Sequence, residues 1–585
     1  MRRLRTTSPS HATSALAVLT LLSTITACSM FGANAAVAAS PTTQGSHEAG
    51  VVLDSGMNSN SNAGTSQPTG SNTSNGSGGS TGSTGASVPK GLESFYNQDL
   101  TWTDCTDNAT GTAFKCATVT VPLDYDNPQG KTITVALKKL PATTPSPRGS
   151  VFLNPGGPGV SGISAIEYQA ELYKTGDLSE VLANYDVIGF DPRGVGQSTP
   201  ITCWSPEDVQ AILAGQTEAP SPSLSTPGSA ADIVAQGSRE AAACQKYTEV
   251  PEILDHMDTR SVARDMDVMR ALVGDKDLNY LGTYLGAVYT ELFPDNIGRV
   301  VLDSAMDPTL SRQEASEDGA AAKEQSLRTY IESQQGQAGF PLCGTTEEAI
   351  AQLASFLDGL DANPLAVSNS RETLNRVKAV DAIGALANSS PDKWPLLTEG
   401  LAQAMNAHDG TVLARNAASV SSNSVPPPTT EKQVVERLRT RYVFSANRCL
   451  DFPDAGNEAS WDAALASYRP DYPVFHSSLP QMDAFCHGWR HTSRTEAVNV
   501  DVEATNPVLV IGILHDPSTP YPWSQALVSR IRNSHLLSVD MYGHIATGAN
   551  SCTTAKIGDY LVNGTFPSDG EVCAADPEPQ AGGGE

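Results

Sequence analysis

Short apolar runs alternate with amphipathic stretches over most of the chain beyond residue 110. The runs have the length and the β-branched content of strands, and turn residues follow most of them. The predicted strands are residues 119–123, 132–140, 149–153, 185–190, 278–281, 297–302, 507–514 and 534–539. Helical periodicity lies between several of them, as at 261–273 and 283–293. The first two strands predict a β-hairpin, and the rest predict an α/β fold whose mainly parallel sheet has helices on both faces.

The middle of the chain, residues 311–500, has a different pattern. Helical stretches, such as 347–360 and 431–445, are broken by a polar, proline-rich segment around 421–430. We therefore expect a helical cap at 311–500, inserted between a first core segment at 91–310 and a second at 501–585. A cap in this position would shape the pocket over the sheet.

The N-terminal segment has the pattern of an export signal. Basic residues at positions 2, 3 and 5 precede an apolar run at 14–27, which is too short to span a bilayer. The run ends Ile-Thr-Ala-Cys at 25–28, which resembles a bacterial lipobox, so residues 1–28 predict a signal peptide with Cys28 as the lipidated residue. The alternative is plain secretion, with cleavage between residues 33 and 39.

The next segment, residues 29–90, is rich in Ser, Gly and Asn and can bury almost no apolar surface. We expect a disordered tether there. An anchor followed by a tether predicts an exported protein that is held at the outer face of the cell membrane by its N-terminal lipid alone, or is secreted.

Charge narrows the range of partners. Of the 585 residues, 37 are Lys or Arg and 64 are Asp or Glu, which gives a net charge of -27. Such a chain repels phosphate backbones and attracts cationic groups, including free amino groups. We therefore expect no nucleic-acid partner. We also expect a monomer.

Ten cysteines fit an exported protein. The predicted disulfides are Cys105–Cys116, Cys203–Cys244 and Cys552–Cys573. The pairing among Cys343, Cys449 and Cys486 stays open. Because no CxxC or Cys/His cluster has the spacing of metal ligands, we expect neither a structural zinc nor another cofactor.

Candidate chemistry lies where predicted strands end. In parallel sheets the functional residues gather at the carboxyl ends of the strands. Here a glycine-rich turn at 154–159 follows one strand, Asp516 follows another, and His544 follows the last. Either of the last two residues could instead be an ordinary turn or loop residue.

A set of short motifs, in a fixed order from about residue 94 to 573, resembles one family. They are Cys-Ala-Thr-Val at 116–119, Pro-Leu-Asp-Tyr at 122–125, Asn-Pro-Gly-Gly-Pro-Gly at 154–159, Gly-Phe-Asp-Pro-Arg-Gly at 189–194, Thr-Tyr-Leu-Gly at 283–286, Phe-Pro-Asp at 293–295, Val-Leu-Asp at 301–303, His-Asp-Pro at 515–517, Thr-Pro at 519–520 and Gly-His at 543–544. The chain resembles the secreted tripeptidyl-aminopeptidase type of α/β-hydrolase of actinobacteria, which is related to prolyl aminopeptidases.

The resemblance implies acyl transfer by a Ser-His-Asp triad, in which the serine lies in a G-x-S-x-G elbow between a strand and a helix. By position, His544 would be the base and Asp516 the residue that orients it. Gly157, with Gly156 beside it, would supply an oxyanion donor. The implied substrate is a peptide with a free N-terminus, or an ester as the rival specificity.

Acidic residues of the cap are implied to hold the substrate's ammonium group. The sequence offers many candidates, including Glu314, Glu317, Asp318 and Asp483, and does not distinguish among them. The Cys-His-Gly-Trp segment at 486–489 resembles a motif at the end of the family's cap, and we expect it to serve packing.

The nucleophile itself is missing. The family reads approximately L-G-x-S-Y-G-T-Y-L-G, whereas this chain reads L-G-T-Y-L-G at 281–286, so four residues are absent between Gly282 and Thr283. Between residues 94 and 573 no G-x-S-x-G occurs. Tyr284 would be a poor substitute, because its ordinary pKa is near 10. Ser161 and Ser304 do not lie where an elbow would be.

Two hypotheses remain. The chain is an exported serine exopeptidase or esterase whose elbow is absent from this sequence, which predicts an inactive protein as written. Alternatively, it is a non-catalytic, lipid-anchored relative that binds peptides.

Overall fold

The computed structural model describes residues 88–107, 110–216, 229–370, 372–420, 429–453, 455–476, 481–491, 498 and 500–576. The predicted signal peptide with Cys28, and all but the last few residues of the predicted tether, lie outside the described residues.

A single sheet of ten strands runs through the molecule, in the order β1-β2-β3-β5-β4-β6-β7-β10-β11-β12. Its strands are β1 (Thr103–Asp104), β2 (Lys115–Pro122), β3 (Thr132–Leu140), β4 (Ser150–Leu153), β5 (Asp186–Asp191), β6 (Leu278–Gly282), β7 (Ile297–Asp303), β10 (Val502–His515), β11 (Ile531–Tyr542) and β12 (Val572–Cys573). A separate two-stranded ladder joins β8 (Leu365–Ala366) to β9 (Thr373–Leu374).

The strands from β5 through β4, β6, β7, β10 and β11 to β12 are parallel. The predicted hairpin, β2 and β3, is antiparallel and joins the sheet through β5. This arrangement confirms the predicted fold class, that of an α/β-hydrolase. Both β10 and β11 begin several residues before their predicted starts. The extra residues are mostly polar, so the apolar pattern did not mark them, but Val502 pairs with Ile531.

The helices of the described residues are α1 (Glu93–Tyr96), α2 (Gly162–Lys174), α3 (Ser179–Asn184), α4 (Pro206–Leu213), α5 (Ala230–Tyr247), α6 (Thr259–Leu272), α7 (Tyr284–Leu292), α8 (Arg312–Gln334), α9 (Thr346–Ala362), α10 (Arg376–Ala387), α11 (Trp394–Asn406), α12 (Thr411–Val420), α13 (Glu431–Asp451), α14 (Glu458–Tyr468), α15 (Gln481–Trp489), α16 (Tyr521–Arg530) and α17 (Ser551–Asn563). Short 3-10 helices form at Pro251–Asp255, Pro294–Asn296 and Pro391–Lys393.

The sheet is buried on both faces. Val300 and Leu302 of β7 pack into one apolar cluster, while Val301 between them packs into the cluster on the opposite face. All three are fully buried. Side chains alternate between the faces of a strand, so continuous apolar runs mark strands that helices cover from both sides.

The long segment between β7 and β10 forms two parts. The helices α8–α12, which we call the cap, share an apolar core of their own, with Leu353, Leu357 and Leu401 fully buried in it. The helices α13–α15 instead pack with α4 and α5 into the main core. The predicted cap at 311–500 is therefore divided between these two parts.

The helices α5 and α15 approach each other closely through two glycines. A Cβ atom at Gly237 would lie 2.2 Å from the carbonyl oxygen of Phe485, and one at Gly488 would lie 2.0 Å from that of Val234. Neither position can hold a larger residue unless the backbone moves. Gly488 and the fully buried Trp489 thus pack this crossing, which is the kind of role expected for the Cys-His-Gly-Trp segment.

Four disulfides join described residues. They are Cys105–Cys116, Cys203–Cys244, Cys449–Cys486 and Cys552–Cys573. The disulfide between Cys449 and Cys486 links α13 to α15. It answers the pairing that the sequence left open among Cys343, Cys449 and Cys486. This density of disulfides is typical of a protein that folds outside the cytoplasm. No helix in the described part of the chain is long and apolar enough to cross a membrane.

Candidate active site

Asp516 and His544 meet at the carboxyl ends of β10 and β11. The Nδ1 atom of His544 lies 2.8 Å from Oδ2 of Asp516. The Asp516 side chain is fully buried, whereas His544 is partly exposed. If Nδ1 donates its proton to the carboxylate, Nε2 keeps a lone pair and can take a proton from a substrate or a nucleophile.

The loop after β10 fixes the carboxylate of Asp516. Oδ1 accepts the backbone N–H groups of Ser518 and Thr519, at 2.8 and 3.0 Å. Oδ2 accepts the Thr519 hydroxyl at 2.7 Å. With the bond to His544, both oxygens are fully engaged, so the carboxylate has one well-defined orientation.

The loop that carries His544 is fixed by the end of β7. Asp303 accepts the backbone N–H of Ala546 at 3.1 Å and that of Thr547 at 2.8 Å. The Ser304 hydroxyl accepts the N–H of Ile545 at 3.1 Å. Ile545 has φ 68°, a left-handed conformation that is rare for a β-branched residue. These bonds hold the loop in that conformation directly after His544.

The pKa of His544 is raised above its ordinary value. Burial alone would lower it, but the hydrogen bond and the charge of Asp516 outweigh burial, with a further contribution from Asp303. Asp516 thus stabilises the imidazolium that forms when His544 accepts a proton.

The glycine-rich turn after β4 offers a free backbone donor at Gly157. Gly156 donates its N–H to the side-chain oxygen of Asn154 at 3.1 Å. The N–H of Gly157 has no acceptor among the described residues. Both glycines have positive φ, at 81° and 111°. Gly157 is therefore the better placed of the two predicted oxyanion donors, since Gly156 is already engaged.

A single residue, Thr283, connects β6 to α7. The strand ends at Gly282 and the helix begins at Tyr284. Thr283 has φ −118° and therefore lacks the left-handed backbone that marks a strained elbow. A Cβ atom at Gly156 would lie 2.8 Å from Oγ1 of Thr283, so the glycine-rich turn lies directly against this junction.

The other hydroxyls considered in the sequence have structural contacts. Ser161 caps α2 by accepting the N–H of Ser164, and its hydroxyl donates to Asp191 at 2.5 Å. Ser304 is buried and holds the His544 loop. Burial raises the pKa of Tyr284 well above its ordinary value, which makes its phenol a still weaker nucleophile.

The four acidic candidates differ in what they already bind. Glu314 closes the capping box of α8 with Ser311. Asp483 forms a buried ion pair with Arg312 at 2.7 Å. Glu317 accepts the hydroxyl of Tyr468 and the amide of Gln313.

Glu314 and Asp318 are both exposed, and Asp318 is the one that contacts the segment beyond the Asp516 loop. One of its oxygens accepts the indole N–H of Trp523 at 2.7 Å, and Trp523 lies in α16, just beyond that loop. The cap also touches the strand that precedes His544, since the rings of Trp394 and Tyr542 lie 5.6 Å apart.

Sequence reasoning missed the supporting residues Thr519, Asp303, Ser304 and Thr547. The role of Thr519 could have been predicted, because a Ser or Thr two or three residues after an Asp favours a local turn around that carboxylate. Asp303 stands in the Val-Leu-Asp motif, but the motif does not reveal its role, since its partners lie more than 240 residues further along the chain.

Comparison with known proteins places this chain in a family. The family described as TAP-like protein matches residues 472–573. The chain is 31% identical over 503 residues to a tripeptidyl aminopeptidase of Streptomyces lividans, covering 82% of this chain and 87% of that protein. It is 30% identical to a serine protease of Mycobacterium tuberculosis, covering 81% and 91%, and 29% identical to a protein of that organism named carboxylesterase B, covering 81% and 89%.

The fold is that of an α/β-hydrolase, and the relatives named above include a tripeptidyl aminopeptidase and a serine protease. More specifically, the chain belongs to the tripeptidyl aminopeptidase family.

Proposed function

We propose that this chain is a peptide-binding member of the family that has kept the acid–base pair and lacks the nucleophile. One observation carries the proposal. Asp516 and His544 form a complete, supported pair, while β6 passes into α7 through Thr283 alone. A triad without its nucleophile loses on the order of 10⁶ in kcat. The chain as written should therefore bind peptides and hardly hydrolyse them.

The ligand in this proposal is a peptide with a free N-terminus. The net charge of -27 favours a cationic end group. Among the four acidic candidates, Asp318 is exposed and is held near the Asp516 loop by Trp523, so we assign the ammonium group to it. In the same proposal, Cys28 carries the lipid anchor, the protein is a monomer, and no cofactor takes part.

The test is to restore the missing residues. Insertion of Ala-Ser-Tyr-Gly between Gly282 and Thr283 rebuilds the elbow, and insertion of Ala-Ala-Tyr-Gly is the matched control. Each protein is incubated with a fluorophosphonate probe, weighed intact, and assayed with trialanine p-nitroanilide and p-nitrophenyl butyrate.

We expect no adduct on the chain as written, one adduct on the Ser insertion, and none on the Ala insertion. Hydrolysis should appear with the Ser insertion only, and the preferred substrate would separate a peptidase from an esterase. An adduct on the chain as written, mapped by peptide digestion to Thr283 or Ser304, would contradict the proposal. If the purified native protein is heavier by four residues, the elbow is present in nature and the protein is an ordinary serine hydrolase.

A further inference from the structure

Arg448, on α13, forms no ion pair with any of the described residues. Its Nη1 lies 3.1 Å from the sulfur of Met306, and its Cζ lies 4.5 Å from the centre of the Phe452 ring. Nε is buried and has no acceptor among the described residues. The residue is partly exposed, so a solute can reach it.

Other enclosed arginines nearby are neutralised. Arg441, two turns earlier on α13, forms a two-pronged pair with Glu240 at 2.6 and 2.8 Å. Arg312 pairs with Asp483 at 2.7 Å. Arg448 is partly withdrawn from water, and a charge in such a position is costly to keep without a partner. The contrast with Arg441 and Arg312 therefore suggests a ligand that supplies the missing negative charge.

Two acids, Asp451 and Asp483, act on Arg448 through their charge, and both are engaged with other groups. Asp483 pairs with Arg312 at 2.7 Å. Asp451 accepts both the N–H and the hydroxyl of Thr259, at 2.7 and 2.6 Å, so both of its oxygens are engaged elsewhere. Burial also raises its pKa to about 7, against the effect of those hydrogen bonds. Asp451 is therefore only partly ionised at neutral pH.

The position of Arg448 ties it to the candidate active site. Met306 lies two residues beyond Ser304, which holds the His544 loop. Phe452 packs in one cluster with Met306 and Trp523, and Tyr284 packs against that cluster. Tyr284 follows Thr283 directly, and its hydroxyl is also buried without a hydrogen-bond partner in the described residues.

We propose that Arg448, with the hydroxyl of Tyr284, binds the terminal carboxylate of a short peptide. A guanidinium matches a carboxylate in charge and in planar geometry, and the phenol can donate a further hydrogen bond. The inference rests on the proposed function, which places the peptide's ammonium group on the cap side. Together they define a site for short peptides with both ends free, which is the class of molecule that cleavage of an N-terminal tripeptide releases.

Isothermal titration of the full chain at pH 7 tests this, with trialanine, trialanine amide and N-acetyl-trialanine as ligands. We expect trialanine to bind about tenfold or more tightly than its amide, which is the range for hydrogen bonds to a charged group. In Arg448→Met the two ligands should bind equally. Lys432→Gln, which removes an exposed charge from the same helix, should keep the difference.

The outcomes separate the two proposals. Equal affinity of wild type for trialanine and its amide would overturn the role of Arg448 and leave peptide binding intact. Binding of N-acetyl-trialanine as tightly as trialanine would overturn the assignment of the ammonium site while leaving Arg448 in place. Absence of binding by all three ligands would overturn both. The wild-type comparison needs no variant, and Arg448→Met should unfold at a higher temperature because a partly buried guanidinium without an ion pair is gone.

Discussion

Asp303 binds Thr547 through two hydrogen bonds, one from the backbone N–H at 2.8 Å and one from the hydroxyl at 2.6 Å. Thr547 lies three residues beyond His544, so the end of β7 sets the course of the loop that follows β11. The neighbouring strand β10 carries Asp516. His544 and Asp516 are thus positioned by three strands of one sheet, β7, β10 and β11.

Replacing Asp303 by Asn should loosen this loop. The amide can accept with only one oxygen, so charge-assisted bonds to Ala546 and Thr547 are lost, and we expect a loss of about 1–3 kcal/mol in the free energy of unfolding. Urea unfolding measures it. Asp540→Asn, an exposed site on β11 with a 3.2 Å contact to His515, is the matched control and should change little. Equal effects of the two variants would contradict the role of Asp303.

Asp516 should govern the titration of His544. Burial lowers the pKa of His544 and the carboxylate raises it by more, so Asp516→Asn should move the pKa from above its ordinary 6.5 to below it. Because the raised value favours the charged form, the pair stabilises the fold below the unfolded pKa and loses that contribution as pH rises through the folded one. NMR titration, with His544→Ala for assignment, reads the shift. An unchanged pKa in Asp516→Asn would show that another group sets it.

Asp451 should make stability depend on pH in the opposite way from an ordinary ion-paired carboxylate. Burial raises its pKa from 3.8 to about 7, so the folded state prefers the protonated form. Its contribution is most favourable below pH 4 and is lost as pH rises from about 4 to 7. Asp451→Asn keeps a hydrogen-bonding partner for Thr259 without the charge. The unfolding temperature of the variant, compared with that of wild type, should increase as pH rises across this range. A difference in unfolding temperature that does not change with pH would refute the assignment.

The disulfide between Cys449 and Cys486 should contribute substantially to stability. It closes a segment with a sequence separation of 37 and fixes α13 against α15. Chain-entropy arguments give a cost of roughly 3–4 kcal/mol when both cysteines become serine. Urea unfolding of Cys449→Ser/Cys486→Ser checks this, and the pair Cys105→Ser/Cys116→Ser, which closes a separation of 11, should lose less. The reverse order would mean that strain or residual structure outweighs loop length.

The sheet could be predicted from the sequence because its central strands are buried on both faces, so that Val300, Val301 and Leu302 read as one apolar run. Asp516 and His544 could be placed because each follows such a strand. The lack of an ion pair at Arg448 could not be predicted. Arg441 lies on the same helix, and nothing in the sequence shows that only Arg441 has an acidic partner, because the fold alone brings Glu240 to Arg441. The close contact of α5 with α15 was hidden for the same reason, because Gly237 and Gly488 come together only in the folded chain.

The direct passage from β6 through Thr283 into α7 bears on how this chain would affect peptides in a cell. Excision of four whole codons preserves the reading frame, and the strands that carry Asp516 and His544 are fixed by contacts elsewhere in the sheet. Under the proposed function, a cell that made this chain beside an intact relative would hold two proteins that compete for the same peptides. One would consume them and the other would only sequester them, so the amount of this chain present would set the free peptide concentration.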